Sequence, residues 1–207
     1  MIVEGEWVRG VLWERDLLES VHRVELGTLL DWTMLVVPWF GTNITLMPLT
    51  FVAAAWLVRR GQAVLAMHLV IVQVGTLTLS ALLKALYERP RPDLWEPRGQ
   101  FAWASYPSGH AIATVAVLFT IAIMLRRARG WRWPFAVAIG MLAITVYSRL
   151  YLGVHWPSDV IAGLLIGVVW LLSTLVAFRP AEGVGTSPAG GAPRAISEIS
   201  PSPLRRG

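Results

Sequence analysis

Charge is absent from this chain in long blocks, and most blocks stop at basic residues. From Trp32 to Val58 no residue is charged, and Arg59 and Arg60 close the run. Residues 62–83 form a second uncharged run ending at Lys84, and Ala111–Leu125 a third, ending at Arg126, Arg127 and Arg129. A fourth spans Trp133–Tyr147 and a fifth Val160–Phe178, with Arg179 behind it. Blocks near 20 apolar residues are what a helix needs to cross a hydrocarbon layer. Composition agrees, since only 15% of the 207 residues are charged and 55% are hydrophobic, where soluble domains carry about a quarter charged.

The 27 residues Trp32–Val58 are too few for two crossings, and Pro38, Gly41, Thr42 and Asn43 interrupt them. One crossing from 42 to 58 is the economical reading. The chain is therefore expected to be all-α, a polytopic transmembrane helix bundle of five to six spans. Its three expected parts are an N-terminal segment 1–41, a membrane core 42–180 and a disordered tail 181–207 rich in Gly, Pro, Ser and Ala. Val8, Leu12, Leu17, Val21, Val24 and Leu29 form an imperfect helical stripe, which predicts an amphipathic helix lying in the interface.

Arginine placement predicts orientation. Arg59, Arg60, Arg126, Arg127, Arg129, Arg132, Arg179, Arg194, Arg205 and Arg206 fall on one side, against only Glu182 and Glu198. That side is expected to be cytoplasmic. A plasma-membrane (inner-membrane) protein with its C-terminus inside and its 84–108 and 148–156 connections outside follows. The net charge of +5 sits at span ends, where it meets lipid headgroups, so a nucleic-acid partner is not expected. Cysteine is absent, which excludes disulfides and thiolate metal sites.

Three stretches meet at the outer side. They are Lys84-Ala-Leu-Tyr-Glu-Arg-Pro-Arg91-Pro92, then Pro107-Ser108-Gly109-His110, then Ser148-Arg149 followed by His155 and Asp159. Ionisable groups at span ends are functional candidates by default. Lys84, Arg91 and Arg149 can spread positive charge over phosphate oxygens, which is most of what phosphoryl transfer requires. Ser108 and Gly109 open a helix, so their free backbone N–H groups and the helix dipole favour an anion. His155 and Asp159 stand four residues apart, so a carboxylate can fix one ring nitrogen and leave the other to attack phosphorus. His110 is then the candidate general acid and base. No carboxylate cluster suited to a divalent metal accompanies them, so no metal and no cofactor are expected.

Together these stretches resemble the K-x6-R-P, P-S-G-H and S-R-x5-H-x3-D signature of the type 2 phosphatidic acid phosphatases, the lipid phosphate phosphatases. The likeness runs over about residues 17–178 and holds at every signature position. It implies a six-helix, metal-independent phosphatase with His155 as nucleophile, Asp159 orienting it and His110 as acid and base. Lys84, Arg91, Ser108, Gly109 and Arg149 would bind phosphate. The implied substrate is a lipid phosphate or diphosphate: undecaprenyl diphosphate, phosphatidic acid or phosphatidylglycerol phosphate. One departure stands out, because only five crossings are legible and the family's first is missing or reduced to the N-terminal helix.

Blander readings compete. Single cations at span ends can be snorkelling anchors, and His155–Asp159 a capping pair. Arg89, Glu88, Asp93 and Arg98 lie outside the signature and read as solvated or ion-paired structural residues. His68 reads as a hydrogen-bonded helix–helix contact, His22 as a surface residue, and the eleven tryptophans as an interfacial belt. Two other functions remain open: phosphate transfer to an acceptor lipid through the same site, and non-catalytic lipid binding or transport. A phosphate-release assay separates all three.

Overall fold

The computed structural model describes Gly5 and residues 10–24, 27–95 and 104–179. The tail expected to be disordered, and Arg98, lie outside the described residues. Among the described residues there is no strand. Among the described residues two short helices precede the long ones, α1 Leu12–His22 and α2 Thr28–Val36, the latter tightening into a 3-10 turn over Val37–Gly41. Five longer ones follow: α3 Asn43–Arg59, α4 Ala63–Tyr87, α5 Gly109–Arg129, α6 Trp133–Tyr151 and α7 Pro157–Ala177. The last four are long and apolar enough to cross a membrane unaided. The Asp31–Gly41 stretch and α3 together pass the same test, but are bent by 40°.

Local chemistry sets the ends. Thr42 caps α3 by accepting the Thr45 N–H at 3.3 Å, which places the bend where Pro38 and Gly41 already break the helix. Helix α4 stops at Glu88, whose backbone is left-handed (φ 42°) and whose N–H returns to the Lys84 carbonyl at 3.0 Å. Pro90 and Pro92 then prevent resumption. Pro157 opens α7, where its missing N–H costs nothing.

Helix α5 is the central one, with half of its apolar window buried against 28% for α4, α6 and α7. Two glycines on α7 let the backbones approach. A Cβ on Gly163 would lie 2.6 Å from the Ser108 carbonyl oxygen, and one on Gly167 2.9 Å from the Val115 Cβ. Small residues four apart are the usual device for close helix packing where lipid supplies no hydrophobic drive. Trp170 of α7 lies over Gly75 of α4 and donates to the Val72 carbonyl at 3.1 Å. Between α3 and α4, Gln73 donates to Asn43 at 2.8 Å.

In the N-terminal segment the apolar stripe faces outward, as an amphipathic helix in an interface requires, and what departs from expectation is the buried acid. In α1 the buried residues are Glu14 and Leu18, while Leu12 and Leu17 of the predicted stripe are exposed, as are Val24 and Leu29 beyond it. In hydrocarbon nothing drives an apolar stripe inward, whereas a carboxylate must find partners. His68 also differs. It is buried and stacked on Phe178 with ring centroids 4.5 Å apart, and its Nε2 has no hydrogen-bond partner, so the contact with α7 is made by stacking. His22 is half-buried and stacks on Trp95 at 4.0 Å.

Candidate active site

Helix order alone brings the end of α4, the start of α5, the end of α6 and the start of α7 to one end of the bundle. Backbone hydrogen bonds then tie the three stretches together. Ser105 N–H donates to the Arg89 carbonyl at 2.7 Å, and Ser108 N–H to the Asp159 carbonyl at 3.0 Å. The second bond corrects the expectation that the Ser108 N–H is free for an anion. The Ser108 hydroxyl is buried and has no hydrogen-bond partner. Gly109 has no room for a side chain, because a Cβ there would lie 2.7 Å from Ser80 Oγ.

Lys84, in the last turn of α4, donates to the Ala104 carbonyl and forms part of the wall of a cavity of about 410 Å³ with Ala81, Ala85, Glu88, Arg89, Pro90 and Ala104. Arg91, in the loop beyond, is half-buried and donates to the Val154 carbonyl beside His155. Burial lowers its pKa, with Asp159 pulling the other way. Arg149, in the last turn of α6, donates through Nη1 to His110 Nε2 at 3.2 Å and through Nη2 to Ser148 Oγ at 2.9 Å. A guanidinium can only donate, so His110 Nε2 accepts and the imidazole proton resides on Nδ1.

His155 lies in the α6–α7 loop, 2% exposed. Its Nδ1 stands 3.7 Å from Asp159 Oδ2, an electrostatic contact rather than a hydrogen bond. Its pKa is lowered to about 4, first by burial. Asp159 pulls it back up, while Arg91 and Lys84 push it further down. His155 is therefore neutral at pH 7, the form a nucleophile needs. Asp159 sits in the first turn of α7 with every oxygen engaged. Oδ1 accepts from Arg89 Nη1 at 2.6 Å, while Oδ2 accepts from the Trp156 N–H at 2.9 Å and from Ser105 Oγ. It thus caps α7 as well as facing His155.

A family model described as "PAP2 superfamily" matches residues 62–181, more than half of the chain. The chain belongs to the PAP2 superfamily. Two curated PAP2-type relatives are a lipid A 1-phosphatase of Rhizobium johnstonii and an undecaprenyl-diphosphatase of Sulfolobus acidocaldarius. The first is 35% identical over 48% of this chain and 42% of its own length. The second is 37% identical over 41% of this chain and 35% of its own length. The match thus spans less than half the length of either. A crystal structure of a transmembrane PAP2-type phosphatidylglycerolphosphate phosphatase from Bacillus subtilis superposes with a TM-score of 0.73. At 23% identity, over 80% of this chain and 84% of that one, it shares the fold.

Beyond the PAP2 signature, two residues have partners that the sequence does not name. Arg89, expected to be solvated or ion-paired, is ion-paired, with its guanidinium buried against Asp159 itself. Glu14 of α1 is 1% exposed and pairs with Arg89 at 3.0 Å. The one available signal was an acid on the apolar face-to-face seam of α1, four residues before Leu18.

Proposed function

We propose that this chain is a membrane lipid phosphatase that hydrolyses a lipid phosphate or diphosphate through a phosphohistidine on His155, without a metal. What carries the reading is a neutral, buried His155 set between a fixed carboxylate, Asp159, and the cations Lys84, Arg91 and Arg149. Non-bridging phosphate oxygens would lie among those cations and the Ser108 hydroxyl. The free nitrogen of His155 attacks phosphorus, and the bond to the lipid oxygen breaks. The departing oxygen takes its electron pair and a proton from His110.

In the free site Arg149 occupies His110 Nε2. An incoming phosphate offers Arg149 a better acceptor and brings negative charge that favours a protonated His110. In the second step His110 removes a proton from water, whose oxygen attacks the phosphohistidine. The N–P bond breaks and its electrons return to the ring. The three cations spread charge over the transition state as a metal would elsewhere.

A polyprenyl diphosphate such as undecaprenyl diphosphate is the first candidate substrate, followed by phosphatidic acid and phosphatidylglycerol phosphate. The arginine-rich ends of α3, α5 and α7 would face the cytoplasm and the site the outer leaflet. The test is inorganic phosphate release by purified protein across these three lipids with excess EDTA. Release from at least one is expected. No release, or release only after a divalent metal is restored, overturns the reading; loss of lipid phosphate without free phosphate points to a phosphotransferase.

A further inference from the structure

Glu14 is the residue that the functional reading leaves unexplained. It lies on α1, outside the matched family segment, yet it is buried against Arg89 and Ser158. Its Oε2 accepts from Arg89 Nη2 at 3.0 Å. Its Oε1 accepts from the Ser158 N–H at 3.1 Å and from the Ser158 hydroxyl. Arg89 extends its other nitrogen, Nη1, to Asp159 Oδ1 at 2.6 Å and to Ser158 Oγ at 2.7 Å. Three charged groups, alternating minus, plus and minus, are thereby strung from α1 to the carboxylate that faces His155. Glu14 and Asp159 approach the same guanidinium from two helices, and Ser158 is clamped between them.

The docking of α1 is shaped to hold this arrangement. Gly10 takes a left-handed backbone (φ 73°) against Trp156, where a Cβ would come within 2.2 Å of the ring. The Trp156 ring lies 5.3 Å from the Arg89 guanidinium carbon, its indole N–H donates to the Pro90 carbonyl at 3.0 Å, and its backbone N–H holds Asp159 Oδ2. Burying such a string costs solvation that only complete pairing offsets, so a purely mechanical staple would be made more simply by apolar contacts.

We propose that Glu14, acting through Arg89, is a positioning residue that fixes the orientation and charge of the Asp159 carboxylate, and so makes α1 part of the catalytic apparatus. The inference rests on the phosphohistidine reading above. Arg89 occupies Oδ1, and it is Oδ2, which also accepts from the Trp156 N–H and Ser105 Oγ, that faces His155. Without Glu14 the full charge of Arg89 falls on Asp159 and draws its electron density away from the imidazole. Without Arg89 the buried carboxylates of Glu14 and Asp159 both lose the cation they share. In either case His155 loses the partner that stabilises its positive charge in the phosphoenzyme. The groups that bear on Asp159 are Arg89 and Glu14 on one side, His155, Lys84, Arg91 and Tyr106 on the other, and the Trp156 N–H and Ser105 hydroxyl at Oδ2.

The experiment uses full-length protein in detergent with whichever lipid phosphate it hydrolyses, and compares Glu14→Gln, Arg89→Lys and Arg89→Met alone and on an Asp159→Asn background. Glu14→Gln and Arg89→Lys should each lower the single-turnover rate by about 10–100-fold, the usual cost of disturbing a group that orients a reacting one. KM and competitive inhibition by inorganic phosphate should stay within roughly twofold, because the phosphate cradle is untouched. On Asp159→Asn, the same substitutions should add less than roughly twofold, since the carboxylate they act through is gone. Unchanged rates in folded Glu14→Gln and Arg89→Lys overturn the proposal, as do losses that multiply with Asp159→Asn or that appear in KM. If Arg89→Met fails to fold, the two conservative variants decide. A wild type that releases no phosphate fails the underlying reading before any variant is made, and the proposal falls with it.

Discussion

At one end of the bundle Arg59, Arg60, Arg126, Arg127, Arg129 and Arg179 stand exposed at the ends of α3, α5 and α7. Two of them rest over tryptophan rings, Arg60 on Trp56 at 5.1 Å and Arg129 on Trp131 at 5.8 Å. At the other end Arg89 and Arg149 are buried, and each guanidinium is committed to named acceptors. The residue type is the same and the location, at the end of a transmembrane helix, is the same. The difference lies in what the fold offers. The exposed set finds headgroups and water, where one arginine serves as well as another. The buried set finds carboxylates, carbonyls and an imidazole at fixed angles, where neither lysine nor a shift of one residue is equivalent.

Energetics sharpen the contrast. An exposed pair such as Arg23–Glu19, at 3.3 Å, is worth at most about 1 kcal/mol. Removing one partner from a buried network like Glu14–Arg89–Asp159 typically costs about 3–5 kcal/mol, because charges are left unpaired. The site end should therefore respond steeply to single substitutions and the arginine-rich end hardly at all.

The steepest response is expected at His155. His155→Ala should lose at least about 10⁴-fold in turnover, as removal of a covalent nucleophile does. Acid-labile phosphate trapped on the wild type should vanish, while insertion and melting remain those of a folded protein. Substantial residual turnover would refute the covalent route.

His110→Ala should fall next, and its loss should depend on the leaving group. An alkyl phosphate needs a proton on its departing oxygen, and general acid catalysis is worth about 10²–10⁴-fold. With p-nitrophenyl phosphate the leaving group departs unaided, so His110→Ala should give a burst near one nitrophenol per enzyme, then slow turnover. His155→Ala should give no burst with either substrate. Equal losses of both variants on both substrates would erase the division of labour between the histidines.

A smaller effect concerns protonation of His155. Its pKa is lowered to about 4 from the ordinary 6.5, so the folded protein leaves it neutral where an unfolded chain would protonate it. Stability linked to this residue is full above pH 6.5 and is lost as pH falls towards 4, because the unfolded state binds the extra proton first. With four histidines in the chain, nitrogen-detected NMR of labelled protein can resolve each, and the signal missing in His155→Ala identifies the one sought. It should titrate near pH 4. Titration near 6.5 would mean that the ring is solvated rather than enclosed.

Much of this site was legible in sequence because its parts are local. Lys84 and Arg91, Ser108 to His110, and Arg149 to Asp159 each fall within one short stretch, where spacing fixes who shares a helix turn. The helices themselves were legible because charge is absent for 15 or more residues at a time. What escaped depends on distant segments meeting. That the Ser108 N–H is taken by the Asp159 carbonyl follows from α5 and α7 closing over Gly163, which spacing within either stretch does not encode. Glu14 escaped because an acid on an amphipathic helix reads as solvent-facing, and in lipid the inference inverts. The apolar residues Leu12 and Leu17 point out, and the acid points in.

The smallest expected effect belongs to the opposite end, and it tests the comparison from its quiet side. Arg126 and Arg127 are exposed in the last turn of α5, where their charges also favour the helix dipole. Arg127→Gln should leave turnover within roughly twofold of wild type and stability within about 0.5 kcal/mol, the range of exposed substitutions away from special features. What these arginines are expected to govern collectively is orientation. A single cysteine at position 128, in a chain that has none, should resist an impermeant thiol reagent on intact cells and react after lysis. If 128 labels from outside, the arginine-rich end is not cytoplasmic and the site faces inward. If Arg127→Gln instead loses tenfold in rate, the two ends are coupled through α5. Charge at the far end would then reach the start of the same helix, where Ser108 and His110 stand.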